Sequence, residues 1–190
     1  MTFDFAAARQ IMVDSQVRPN DVTDMAIQHA MRTIAREQFC PPQKTYLAYA
    51  DCEIDYAPGR VMMRPRDVSK LLHAVKPRPS DHALVIASPY SAAVFESIGL
   101  TVTRLEEGDL KRPPAGSFDV IVCEGAICEV PKAWLDALAP NGRLAVSVRR
   151  GRAGKVRLYV RAPEGVGYRD IFEASPPILA GFEPEPGFVF

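Results

Sequence analysis

HALVIASPYSAAVFESIGLTVTRLE, residues 82–106, is the stretch that decides the fold. His82 to Ala87 is a short apolar run, Ala92 to Ile98 carries apolar residues at helical spacing, and Thr101 to Leu105 is a second short run. Strand, helix and strand in quick succession is the pattern of a parallel sheet with crossover helices. The alternation continues with a strand at Asp119 to Cys123, a helix at Pro131 to Leu138 and a strand at Arg143 to Val148. Val156 to Arg161 then reads as a strand entering an antiparallel edge hairpin.

Upstream of the Lys76-Pro-Arg-Pro-Ser-Asp linker the texture is helical. Phe5, Ile11, Met12 and then Ile27, Met31, Ile34 recur near helical spacing around a break at Val17-Arg-Pro-Asn-Asp-Val, which predicts two helices. Asp24 is placed to cap the second, and Pro41-Pro42 is expected to stop it soon after Phe39. Residues 43–60 show no strong periodicity and several turn formers, so a long loop is expected there. A third helix is expected from Pro65 to Ala74. The chain therefore divides into a helical cap and loop, residues 1–79, and an α/β domain, residues 80–190, expected to form one compact unit.

The totals narrow the functional classes. The 190 residues are 47% apolar and 24% charged, ordinary for a globular chain and far from a disordered one. Twenty-three basic and 23 acidic side chains give zero net charge, so no global field draws the chain to nucleic acid or an anionic membrane. The one basic cluster, Arg149, Arg150, Arg152, Lys155 and Arg157, reads as a solvated turn. MTFDFAAARQIMVDSQ lacks a basic end followed by an unbroken apolar run, and no run approaches the roughly 18 apolar residues of a membrane span, so a cytoplasmic location is expected. Cys40, Cys52, Cys123 and Cys128 have no CxxC spacing and no histidine pair beside them, so neither a zinc site nor a redox motif is expected.

Four segments, in order, carry a resemblance. MVDSQVRPNDVTD (12–24), IAREQFCPP (34–42), LAYADCEIDYAPGRVMMRP (47–65) and SFDVIVCEGAICEVPKAWLDALAPNGRLAVSV (117–148) resemble the corresponding stretches of the protein-L-isoaspartate O-methyltransferases. The likeness covers nearly the whole chain with one large gap. It implies an α/β, Rossmann-like S-adenosylmethionine (SAM) methyltransferase fold with a reduced, mostly parallel sheet and an N-terminal helical cap.

The departures from that family pattern bear on chemistry. Relatives carry a glycine-rich turn, "VLEIGTGSGYQAAVLA", after the first strand, where side chains would block close approach of the cofactor. Here the segment is ALVIASPYSAAVF (83–95): the glycines are gone, two residues are missing and Pro89 stiffens the turn. Glu106 fills the place of the ribose-binding carboxylate. Glu107-Gly108-Asp109 follows at once, as though a helix and a strand had been excised. The reactive hydroxyl residues of "GQTISQP" are replaced by Val61-Met62-Met63, and methionine cannot orient a carboxylate by hydrogen bonding. Arg60 and Arg64 remain beside them as groups that could attract a carboxylate.

Other schemes lack partners. His29, His73 and His82 stand apart, Ser88 has no Gly-x-Ser-x-Gly elbow, and Asp51, Glu53 and Asp55 lack calcium-loop spacing. No catalytic residue and no metal are expected. The leading expectation is a pseudoenzyme without cofactor, working through a protein partner or a second copy of itself; the apolar Gly187-Phe188-Val189-Phe190 could serve as a contact, although relatives end in a similar "FVF", which favours packing within the monomer. The alternative is an active SAM-dependent methyltransferase of isoaspartyl carboxylates with a remodelled cleft, in which Ala87, Ser88, Tyr90, Glu106 and Glu124 hold the cofactor and Tyr90 stacks on adenine.

Overall fold

The computed structural model describes residues 4–184, so the apolar segment 187–190 lies outside the described residues. Helix α1 (Phe5–Met12) runs on through a π turn (Val13–Val17) and a 3-10 turn (Arg18–Asn20). The Asp4 carboxylate opens α1 by accepting from the Ala7 N–H, and Asp24 opens α2 (Met25–Thr33) by accepting from Ala26 and Ile27.

Two expectations for the cap need correction. Helix α2 ends at Thr33, well before Phe39; Ile34 is extended and Arg36–Phe39 forms a separate 3-10 turn. The break lets the buried Arg36 side chain turn inward, where it donates to the Ala48 and Met63 carbonyls. Residues 43–60 are not one long loop either. They hold a 3-10 turn (Pro42–Leu47) and an antiparallel hairpin of β1 (Ile54–Ala57) and β2 (Arg60–Met62). Strands of four and three residues are too short for their alternation to show in sequence. At the hairpin tip Gly59 has φ +64°, and a Cβ there would lie 2.5 Å from the Ala180 Cβ, so only glycine fits.

Helix α3 (Pro65–Ala74) has the expected bounds and leads to the sheet. Its strands are β3 (His82–Ile86), β4 (Thr101–Leu105), β5 (Phe118–Ile127), β6 (Leu138–Arg149), β7 (Gly154–Ala162) and β8 (Gly165–Glu173), with α4 (Pro89–Ile98) and α5 (Lys132–Asp136) between. The spatial order is β4-β3-β5-β6-β7-β8; the first four are parallel and the last two antiparallel. The parallel strands with crossover helices and the edge hairpin are those expected, although β5 and β6 run longer and α5 is shorter.

Alternation along the central strands sends side chains to two cores. Ala83, Val85, Val120 and Val122 face the cap, where Met12, Val17, Ile27, Met31 and Leu71 complete one cluster. Leu84, Ile86, Ile121 and Cys123 face Trp134, Leu179 and Phe182. At about 1.5–3 kcal/mol for each large apolar side chain buried, the first cluster welds the cap to the sheet. That junction is where the candidate site lies.

Candidate functional site

In open α/β sheets ligands bind outside the carboxyl ends of the strands, where neighbouring connections leave in opposite directions. In this chain that point is the junction of β3, β4 and β5. The chain leaves β3 through Ala87, whose φ of +49° is left-handed, and enters α4 at Pro89. The Ala87 N–H donates to the Leu105 carbonyl at 3.0 Å, tying the turn to the end of β4. The sharp turn thus forms without glycine, and the Ala87 methyl is fully buried.

Ser88 is the hub. Its N–H donates to Glu106 Oε1 at 3.2 Å, its hydroxyl donates to the Ile86 carbonyl at 2.7 Å, and the hydroxyl oxygen accepts from the Glu124 N–H at 2.7 Å. Glu124 accepts from the Ser91 hydroxyl at 2.6 Å and from the Met63 N–H at 2.8 Å. The Met63 carbonyl in turn accepts from Arg36 at 2.5 Å, so the two peptides flanking Met63, in the loop after β2, are held one by a buried acid and the other by a buried cation. Burial raises the Glu124 carboxyl above its ordinary value, opposed by Arg36, Ser91 and the Met63 N–H. Glu106 is likewise raised by burial, and its second oxygen accepts from the Tyr56 phenol of β1 at 3.3 Å.

Of the five residues singled out from sequence, Ser88, Glu106 and Glu124 come together in this network, and Ala87 forms the turn beside them. Tyr90 does not join them. Its ring is fully buried, packed edge-on against Phe39 at 5.6 Å and under the Arg36 guanidinium at 4.7 Å, so it faces the cap and has no free face for an adenine. Ala87, Ser88, Tyr90 and Glu124 all have 0% exposure; Glu106 alone keeps some surface. Sequence reasoning missed Arg36, Tyr56 and Ser91. Their partners are 27 or more residues away in the chain, except for the Arg36 bond to Ala48, and no local pattern marks them.

Several of the remaining candidates are engaged elsewhere. Arg64 forms a two-pronged bond with Glu53, Lys44 pairs with Asp55, and His82 shares a hydrogen bond with Thr103 at 2.9 Å. Met63, in the place of the reactive serine, is fully buried. Arg157 and Lys155 of the basic stretch pair with Asp170, and Arg149 donates to the carbonyls of Ser175 and Pro176. Among the described residues no group of three or more His, Cys, Asp or Glu could hold a metal, and no helix is long and apolar enough to cross a membrane. An open groove of about 740 Å³ lies further along, past the ends of β5 and β6, lined by Lys111, Cys128, Glu129, Arg150 and Phe182 among others.

No family model matches the chain. Individual relatives do. The protein-L-isoaspartate O-methyltransferase of Methylorubrum extorquens (strain PA1) is 30% identical over 172 residues, 76% of this chain and 75% of the relative. The chain belongs to the protein-L-isoaspartate O-methyltransferase family. A second member, from Methylorubrum populi, is 29% identical over 204 residues and covers 92% of this chain and 96% of its own length. Among solved structures, a putative member of the family from Plasmodium falciparum in complex with S-adenosyl-L-homocysteine aligns over 90% of this chain and 97% of its own, with TM-score 0.69 and 13% identity. Another protein-L-isoaspartate O-methyltransferase gives TM-score 0.72 at 17% identity over 94% of this chain and 66% of the other. These structural likenesses concern the fold, which is the Rossmann-like methyltransferase fold expected for the family.

Proposed function

We propose that this chain is a methyltransferase-family protein that has given up SAM binding and methyl transfer and works through contacts with a protein partner. The observation that carries the reading is the closed junction: Ala87, Ser88, Tyr90 and Glu124 present no surface to a ligand. A cofactor held at this turn must approach the backbone where relatives have glycines, and here a methyl, a hydroxyl and a proline ring stand in that place. The Glu106 and Glu124 carboxylates it would engage already accept from Tyr56, Ser88, Ser91 and Met63, whereas the buried Tyr90 hydroxyl has no partner among the described residues. Opening the junction would strip a buried carboxylate of its donors, and each broken bond to a charged group costs about 1.5–3 kcal/mol. The residues present do not fit the cofactor on this reading, so no reaction step is derived through it. Nor does any hydroxyl remain at position 63 to orient a substrate carboxylate.

One observation favours the other reading, an isoaspartyl methyltransferase with a remodelled site. Glu106 stands at the end of β4 with part of its surface free, where a carboxylate could accept from ribose hydroxyls. The two part company in a transfer assay with methyl-labelled SAM and an isoaspartyl peptide. The pseudoenzyme leaves the peptide unlabelled at long incubation and high protein concentration; stoichiometric labelling that depends on the isoaspartyl residue would establish the enzyme.

A further inference from the structure

We propose that the outer edge of β4 is a self-association surface on which a second copy of this chain pairs antiparallel, with the two-fold axis at Thr103. This names the partner in the reading above and rests on it only in placing the chain's role at its surface.

Among the described residues strand β4 ends the sheet and pairs with β3 alone, in register over all five residues and without a bulge. The Thr101 N–H donates to Asp81 and the Leu105 carbonyl accepts from Ala87, so these residues turn their peptide groups toward β3. By strand alternation Thr103 does the same, and the N–H and C=O groups of Val102 and Arg104 point outward. Four backbone groups therefore line a straight, regular edge, the kind that templates pairing with another chain.

Their spacing is self-complementary. Placing Thr103 on a two-fold axis sets Val102 opposite Arg104 of the partner subunit, and Arg104 opposite Val102 of the partner subunit. Antiparallel ladders bond through pairs that exchange both N–H···O bonds, and these are the residues that point outward. Four backbone hydrogen bonds form with no residue shifted.

The side chains permit it. Arg104, the only charge on the strand, is already neutralised by Glu96 through bonds of 3.1 and 2.8 Å. The chain's zero net charge leaves no overall repulsion between copies. The opposite edge of the sheet differs: β8 carries Arg169, Asp170 and Glu173, two glycines and a register shift against β7, devices that discourage pairing. A five-residue strand pair buries less than the roughly 1,200 Å² of stable complexes, so the dimer is a weak, reversible one.

Sedimentation velocity on the full chain from about 1 to 500 μM tests this, with two variants. Val102→Pro removes an N–H that β3 does not use, so the fold survives by circular dichroism while the dimer is lost. Thr103→Cys places two thiols at a non-hydrogen-bonded pair, where the Cα separation of about 4.5 Å suits a disulfide. Mild oxidation should then give a covalent dimer absent from the parent chain and from Val102→Pro/Thr103→Cys. A parent chain that stays monomeric at 500 μM, a Val102→Pro variant that dimerises as tightly as the parent, or a Thr103→Cys variant that fails to cross-link would each overturn the proposal. SAM binding by a chain that still dimerises through β4 would sink the pseudoenzyme and leave this inference standing.

Discussion

Two places at the carboxyl ends of the parallel strands stand in contrast, one filled and one open. At β3, β4 and β5 the space is filled by Ala87, Ser88 and Glu124, with polar atoms paired to one another and to the cap. Past β5 and β6 a groove of about 740 Å³ stays open, lined by charged side chains such as Lys111, Glu129 and Arg150. In this fold the first crevice is the one topology marks for a ligand. On the proposed reading the bonded Ser88, Glu106 and Glu124 make this crevice part of the core, so mutations there should register in stability rather than in ligand affinity.

The largest effect is expected at Arg36, which is fully buried and bridges Ala48, Met63 and the Tyr90 ring. Arg36→Ala should cost about 3–6 kcal/mol in urea unfolding, from two lost hydrogen bonds to a charged group at about 1.5–3 kcal/mol each. A loss under about 1 kcal/mol would mean that the sealed crevice is not held by this residue. Glu124 comes next. Its carboxyl is raised in the fold, so between its unfolded value near 4.5 and its higher folded value the native state holds a proton that the unfolded chain releases. Stability should fall as pH rises through that window. Glu124→Gln should flatten the fall while costing about 1–3 kcal/mol, and an unchanged pH profile would count against a buried acid at this position.

Smaller changes follow outward. Tyr56→Phe deletes one partly exposed bond to Glu106 and should cost about 0.5–1.5 kcal/mol by thermal or chemical melts. In the open groove, Lys132→Ala loses only an exposed pair with Asp136 and should shift stability by less than about 0.5 kcal/mol. If Lys132→Ala proved as damaging as Arg36→Ala, the contrast between the two crevices would collapse.

Much of the frame was legible in residues 82–106, because strand and helix periods are local and His82–Ile86, α4 and Thr101–Leu105 each fit one. The hairpin of β1 and β2 was not, since three or four residues carry no period. Sequence order also pointed to the ends of β3, β4 and β5, which do meet. It could not show that Tyr90 turns to Phe39 and Arg36, or that Glu106 meets a phenol 50 residues away, because such contacts are set by packing between distant segments. The end of α2 was misjudged for a related reason: the demand for Arg36 to reach Ala48 and Met63 outweighs the local signal of Pro41-Pro42.

The central claim, that the crevice at β3, β4 and β5 is closed to cofactor, is tested most directly by isothermal titration of the full chain with SAM and S-adenosylhomocysteine. A thermal melt in the same buffer would show that the protein is folded. The account predicts no heat of binding and no melting shift up to millimolar ligand. Saturable binding at micromolar strength would contradict it, because the junction of Ala87, Ser88 and Glu124 would then have to open for the ligand.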